Sequence, residues 1–145
     1  MKSTAKASWA GSMTEGAGKI TAGGGLFKDA PYSAKGRFEG GVPGTTPEEL
    51  IAAAHAACYT MALGFGLMRA KMPAKLIETG CEVEVVMGSA GADITRSALT
   101  CKVEVPGADA AKVREIAEGA KKGCPVSKAL AGGVKDISLT LDVKV

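Results

Sequence analysis

The stretch that most constrains this chain is "GTTPEELIAAAHAACYTMALGFGL", Gly44 to Leu67. Its start is written in capping chemistry. Thr46-Pro47-Glu48-Glu49 fits a capping box, with Thr46 as N-cap, Pro47 at N1 and Glu49 at N3. The helix should run from Pro47 to about Lys71 and stop before Met72-Pro73, because a residue before proline avoids the helical region. At 1.5 Å per residue it would span roughly 37 Å, longer than a small domain needs. Five alanines between Ala52 and Ala57 leave its middle nearly bare. Apolar residues continue round most of its circumference, so burial on most sides is expected. His55, Thr60 and two glycines interrupt it, and Glu48, Glu49, Arg69 and Lys71 flank it. It therefore reads as a buried helix of a soluble domain, not a membrane span.

The flanking segments alternate. "KASWAG" and "GKITAGGG" read as short strands joined by a turn, and "YSAKGRFEGG" as a third. After the long helix, "CEVEVVM" puts Cys81, Val83 and Val85 on one face, and "TRSALTCKVEV" does the same for Leu99, Cys101, Val103 and Val105. "SAGAD" between them reads as a hairpin loop. "DAAKVREIAEGAKK" reads as a helix with Asp109 as N-cap and Val113, Ile116, Ala117 and Ala120 facing inward. "CPVSKALAGG" reads as a short second helix with Cys124 near its N-cap. "DISLTLDVKV" alternates, with Ile137, Leu139, Leu141 and Val143 inward. Strands, a long helix, a hairpin, helices and a strand make an α+β domain rather than βαβ repeats. The 145 residues suit one domain, 1–145, and with only 4% aromatics its core must come from Ala, Val, Ile, Leu and Met.

Net charge is +3 and the basic residues are scattered, too weak a signal to argue for nucleic acid or an anionic membrane, and neither is expected as a partner. The segment "MKSTAKASWAGSMTEG" lacks an apolar h-region, so a cytoplasmic setting is expected. There the four cysteines should rest as thiols. They stand at 58, 81, 101 and 124 with no C-x-x-C, and one histidine completes no zinc cluster, so no metal or other cofactor is expected. Cys81 and Cys101 alternate with core residues and read as small hydrophobes. Cys124, in "GCPVS" at a helix start, stands where free N–H groups favour a thiolate, although it could equally be a cap without chemistry. Cys58, one turn after His55, reads on pattern alone as a thiol packed among alanines.

The combination "RFEGG", "TPEELIAAAHAACYTMAL" and "KKGCPVSKAL" closely resembles the OsmC/Ohr family of thiol-dependent hydroperoxide reductases, over essentially the whole chain and in matching order. The histidine in "AHAAC" and the arginine in "RFEGG" resemble the OsmC branch. Thr46 stands where asparagine is common, and both are N-caps. The resemblance implies an OsmC-like fold, with antiparallel sheets around long central helices in an intertwined homodimer. It implies Cys58 as the peroxidatic cysteine and Cys124 as the resolving one. Arg37 is then the arginine beside the thiolate and Glu48 the carboxylate that positions it. Residue chemistry agrees: a guanidinium favours a thiolate and holds a carboxylate bidentately. The implied partners are a hydroperoxide and an external dithiol reductant, lipoyl-type among the candidates. Phe38, His55, Tyr59, Met61 and Phe65 are candidates for the substrate pocket, with a structural role for His55 preferred over that of a base.

Two further points bear on function. A thiol switch or small-molecule-binding module on the same fold would use the same apolar helix without turnover, and a zinc protein is a weaker third reading. Glu48 and Cys58 are ten residues apart on what reads as one helix, or roughly 15 Å along its axis. Either the helix breaks between Leu50 and Ala54, or Glu48 serves the Cys58 of a second chain. No helix breaker lies between them, which favours the second.

Overall fold

The computed structural model describes residues 1–89 and 91–145, and the chain divides into two compact units, Met1–Leu50 and Ile51–Val145. In the first unit, β1 (Ala5–Ala10), β2 (Ala17–Ala22) and β3 (Ala30–Tyr32) form an antiparallel sheet in that order. Trp9 and Tyr32 set their rings 5.6 Å apart, and the Tyr32 hydroxyl donates to the Ser8 carbonyl at 3.1 Å. The segment expected as a third strand, "YSAKGRFEGG", departs from that reading. After Tyr32 it turns into α1 (Ala34–Phe38). Ser33 supplies the cap, its hydroxyl accepting from the Gly36 N–H at 3.0 Å. Gly40 and Gly41 then adopt φ of +71° and +73°, which a side chain would resist, and the helix cannot continue. The unit closes with the first turn of α2 (Pro47–Arg69). Among the described residues, no member of the buried hydrophobic core lies in this unit; that core begins at Tyr59.

The second unit holds the rest of α2, β4 (Leu76–Gly88), β5 (Gly91–Glu104), α3 (Ala110–Gly123), α4 (Pro125–Leu130) and β6 (Asp136–Lys144). The expected "SAGAD" loop is shorter than its sequence suggests. Ala92 and Asp93 already belong to β5, and Ala90 lies outside the described residues. The sheet order is β4-β5-β6. β4 and β5 are antiparallel, but β6 runs parallel to β5, which corrects the expectation of purely antiparallel sheets. The cause is the connection. Two helices carry the chain from the end of β5 back to its start, and such a crossover produces a parallel pair.

Alternation along β5 delivers Leu99, Cys101 and Val103 to the core, each no more than 2% exposed. Val113, Ala117 and Ala120 of α3 meet them. Helix α2 contributes His55, Tyr59, Leu63 and Leu67, a stripe at four-residue spacing. Length and composition alone would let α2 cross a membrane, yet this stripe packs into a protein core. The expectation of burial on most sides does not hold in the single chain. Met61, Phe65 and Met68, on another face of α2, are each 59% exposed.

Gly66 shows how closely this core is fitted. A Cβ there would meet the Ile116 methyl Cγ2 at 2.7 Å. Helix propensity alone favours Gly66→Ala by about 1 kcal/mol. Overpacking against a β-branched side chain costs about 1–3 kcal/mol and should win. Chemical denaturation should therefore find Gly66→Ala less stable than the parent. A variant of equal or greater stability would contradict this packing.

Candidate active site

Cys58 sits on α2 immediately before Tyr59, turned off the buried stripe and partly exposed. Cys124 is fully buried at the elbow where α3 ends and α4 begins. Its N–H still closes α3 on the Ala120 carbonyl at 2.9 Å. Pro125 then occupies the first position of α4. A residue before proline avoids the helical region, and Cys124 accordingly adopts φ −59° and ψ 124°. That break carries its sulfur out of the helix path to within 2.9 Å of the Cys58 Sγ. Both thiols are free. A disulfide, at about 2.05 Å, needs only a small further approach.

Burial pushes the Cys58 thiol up, and Cys124 adds to the rise against the Val126 N–H. Burial also works to raise Cys124, but Cys58, the N–H groups of Ser127 and Val126, and the Ser127 hydroxyl outweigh it, and the net direction is down. The 2.9 Å contact is compatible with Cys124 as donor. The dipoles of the Ser127 groups nevertheless favour charge on Cys124, the direction in which its pKa moves. None of them is a fully formed cap bond, so the effect is that of oriented dipoles.

His55 is completely buried beside this pair. Its Nδ1 lies 2.7 Å from the Ser97 Oγ and its Nε2 2.8 Å from the Ser127 Oγ. Burial lowers its pKa, which keeps the ring neutral. Ser97 in turn lies 3.4 Å from the Cys81 sulfur. Cys81 and Cys101 are both pushed up by burial, as expected of thiols that stay protonated.

In the first unit, Arg37 and Glu48 form a forked ion pair. The Arg37 Nε donates to both carboxylate oxygens at 3.1 and 3.2 Å, and Nη2 to Oε1 at 2.5 Å. The capping box explains why Glu48 is available. Glu49 accepts from the Thr46 N–H and donates its own N–H to Thr46 Oγ1, each at 3.1 Å, so the cap consumes Glu49 alone. Burial works to raise the Glu48 pKa, but the Arg37 hydrogen bonds and charge hold the carboxyl below its ordinary range.

The pocket candidates separate. Tyr59 is buried in the core, its hydroxyl reaching the Ala117 carbonyl at 3.5 Å. Met61 and Phe65 are exposed on α2. Phe38 is exposed beneath the Arg37 guanidinium, 5.0 Å from its ring centre. Together with Trp9, Met13 and Tyr32 these two line a cleft of ≈ 240 Å³. Reading the sequence did not single out Trp9, Met13 or Tyr32. Nor did it single out Ser97 and Ser127, although Ser97 shares the inward parity of Leu99 and Cys101, and Ser127 stands within "GCPVS".

Two free sulfurs in contact, one on a core helix and one at a proline-closed elbow, define a dithiol protein of the α+β class. The family model described as OsmC-like protein matches residues 38–138, and the chain belongs to that OsmC/Ohr family. It is 41% identical over 140 residues to the peroxiredoxin OsmC of Escherichia coli (strain K12), covering 97% of this chain and 94% of that protein. It is 31% identical over 109 residues to an organic hydroperoxide resistance protein of Xanthomonas axonopodis pv. citri (strain 306), covering 70% and 69%. Among solved structures, the organic hydroperoxide resistance protein OhrB of Bacillus subtilis superposes with a TM-score of 0.67 at 27% identity, over 97% of this chain and 98% of that one.

The ion pair sets a pH signature. The folded pKa of Glu48 lies below its ordinary 4.5, so the pair's stabilising contribution is full above that value and is lost as pH falls through the folded pKa. The stability difference between the parent and Glu48→Gln should be flat from neutral pH down to about pH 5 and shrink only in stronger acid. Urea denaturation across that range measures it. A difference that already fades between pH 7 and 5 would mean that Glu48 is not held by Arg37.

Proposed function

We propose that the protein is a thiol-dependent hydroperoxide reductase. The observation that carries this reading is the 2.9 Å contact between two free thiols on separate elements. The Cys58 thiolate attacks the distal oxygen of the hydroperoxide. The O–O bond breaks, an S–O bond forms, and the leaving alkoxide takes a proton to depart as alcohol, or as water from hydrogen peroxide. Cys58 is now a sulfenic acid. The Cys124 thiolate attacks that sulfur, releasing hydroxide that takes up a proton to become water, and an intrachain disulfide forms. An external dithiol, lipoyl-type among the candidates, restores both thiols by exchange and is itself oxidised to a disulfide. Free thiols at four positions suit a cytoplasmic setting.

This chemistry asks for a cation beside Cys58, since within its own surroundings Cys58 is the harder of the two thiols to ionise. Arg37, held by Glu48, is the candidate. The continuity of helix α2 from Pro47 to Arg69 supports the reading in which Glu48 acts across a dimer. Arg37 and Glu48 then serve the Cys58 of a second chain, in a homodimer. Two observations support the dimer. The first unit has none of the buried hydrophobic core, and fifty residues without one need a surface to pack on. Met61, Phe65 and Met68 leave an apolar face on α2 that a second copy would cover. In that assembly the short N-terminal strands extend the partner's sheet, and the chain acts as one functional domain. Phe38, with Trp9, Met13 and Tyr32, offers the apolar tail of an organic hydroperoxide a cleft beside the guanidinium.

Cys58→Ser should abolish peroxide consumption, while Cys124→Ser should keep one turnover and lose disulfide recycling. A full burst from Cys58→Ser would refute the assignment. Mixing Glu48→Ala chains with Cys58→Ser chains should restore one intact site per mixed dimer, giving activity well above either parent variant. No gain on mixing would place Glu48 in service of its own chain.

A further inference from the structure

The stretch from Gly119 to Lys135 carries four lysines, Lys121, Lys122, Lys128 and Lys135, and no aspartate or glutamate. It forms the end of α3, the elbow at Cys124, α4 and the turn before β6. Three of the four lysines line one cleft of ≈ 250 Å³, together with Ser127, Ala131 and Ile137. Drug-sized ligands take about 300–1,000 Å³, so this volume suits a smaller group, of the size of an inserted side chain. The carboxylates that border the stretch are already engaged. Glu118 pairs with Lys121 at 3.3 Å, and Asp136 with Arg96 at 3.4 Å. Lys122 and Lys128 are exposed, and among the described residues neither forms an ion pair. A helix dipole favours a lysine in the last turn of α3 and of α4, but it does not require both helices to put theirs on the same cleft. The thiol pair belongs to the same elbow. The Lys128 N–H donates to the Cys124 carbonyl at 3.0 Å, and Lys121 follows Ala120, whose carbonyl accepts from the Cys124 N–H at 2.9 Å. The lysines therefore stand about one helical turn from Cys124, on both sides of it.

We propose that this lysine-rimmed cleft docks the reductant, a protein that carries its dithiol on an acidic surface. The assignment rests on the reading of Cys58 and Cys124 as a redox pair. A carboxylate of the partner enters the cleft beside Lys122 and Lys128, and the local excess of positive charge steers the encounter. The partner's thiolate then attacks the Cys58 sulfur, because Cys124 is fully buried and Cys58 is not. The Cys58–Cys124 bond breaks, a mixed disulfide forms on Cys58, and Cys124 leaves as a thiolate. The partner's second sulfur attacks the first, and Cys58 leaves in turn. The partner's two protons pass to the two cysteine sulfurs, and its dithiol ends as a disulfide.

The test uses protein oxidised by diamide, so that the disulfide is made without peroxide. Two peptides with the same Cys-x-x-Cys dithiol, one flanked by glutamates and one by glutamines, serve as probes, and quenched mass spectrometry follows the return of the protein's thiols. For each peptide, the ratio of parent to variant rate cancels the peptide's own reactivity. Lys122→Gln/Lys128→Gln should react with the glutamate peptide about tenfold more slowly than the parent at low ionic strength. It should match the parent with the glutamine peptide and with dithiothreitol. The tenfold gap should close in 1 M salt, where the Debye length is about 3 Å. Lys102→Gln/Lys112→Gln removes the same charge from the outward face of β5 and the first turn of α3, and should match the parent with all three reductants. No slowing in Lys122→Gln/Lys128→Gln overturns the proposal, as does equal slowing in both double variants. Slowing with dithiothreitol overturns it too, since the lysines would then act on the disulfide and not on the partner's charge. A parent protein that forms no Cys58–Cys124 disulfide with diamide would refute the redox-pair reading itself and the docking with it.

Discussion

The second unit depends on the four-residue stripe of α2. His55, Tyr59, Leu63 and Leu67 are all fully buried, and every other functional placement in the unit is measured from them. Three of the four fasten the helix by dispersion and burial, at about 1.5–3 kcal/mol for each large side chain. His55 fastens it by hydrogen bonds to β5 and α4 at once. Cys58 stands one residue before Tyr59, about 100° round the helix. A thiol so placed shares the rigidity of the core without being sealed inside it. Its partner is fixed just as firmly, because Cys124 is both the C-cap of α3, its N–H donating to the Ala120 carbonyl, and the N-cap of α4. Two sulfurs held by separate elements around one core can meet at 2.9 Å without either being strained into place by the other.

The electrostatics divide between two places in the sequence. Cys58 and Cys124 have between them burial and a few N–H dipoles, enough to favour charge on one sulfur and disfavour it on the other. Arg37 and Glu48 carry the full charges, and each neutralises the other through a fork that fixes the plane of the guanidinium. A guanidinium held this way keeps N–H groups free for a second anion. A lysine in its place would offer a point charge with no plane to fix. The capping box is part of this device. By occupying Glu49 with Thr46, it leaves Glu48 as the only carboxylate of the first helical turn free to hold the arginine.

Much of this was legible in the sequence where the signal is local. The Thr46 box, the Asp109 cap and the alternation of Leu99, Cys101 and Val103 all follow from neighbours within four residues. The α1 helix was not legible. "AKGRF" has a glycine inside and two after it, and its cap is a single serine, so propensity points away from the helix that forms. The direction of β6 was not legible either. Its alternation fixes which face is buried but says nothing about whether it runs with β5 or against it. The one-sided burial of α2 is a different kind of miss. The sequence describes a helix that needs cover on several faces, and in the single chain Met61, Phe65 and Met68 stay exposed on one of them. Of the proposed site, family resemblance named the two cysteines, Arg37 and Glu48 as candidates, and pattern alone leaves Cys58 an ordinary core thiol. Ser97 and Ser127 were overlooked because a serine in an alternating strand or a helix start has commoner uses than holding a histidine.

The buried histidine is where stability and chemistry are hardest to separate, and the energetic balance indicates why it is there. An apolar residue at position 55 would extend the stripe of Tyr59, Leu63 and Leu67 with no polar group to satisfy. A buried imidazole costs a few kcal/mol unless both nitrogens find partners, and here both do. Removing either serine would leave a ring nitrogen unpaired, so the three residues are useful only together. Such a set is a poor route to stability, since two satisfied hydrogen bonds return about what their desolvation costs. What it supplies is orientation. Dispersion among the apolar residues of the core tolerates a rotation of α2 by several degrees, whereas a ring bonded at both ends does not. The rotation it forbids is the one that would move Cys58, three residues further along α2, away from the sulfur at the α3–α4 elbow.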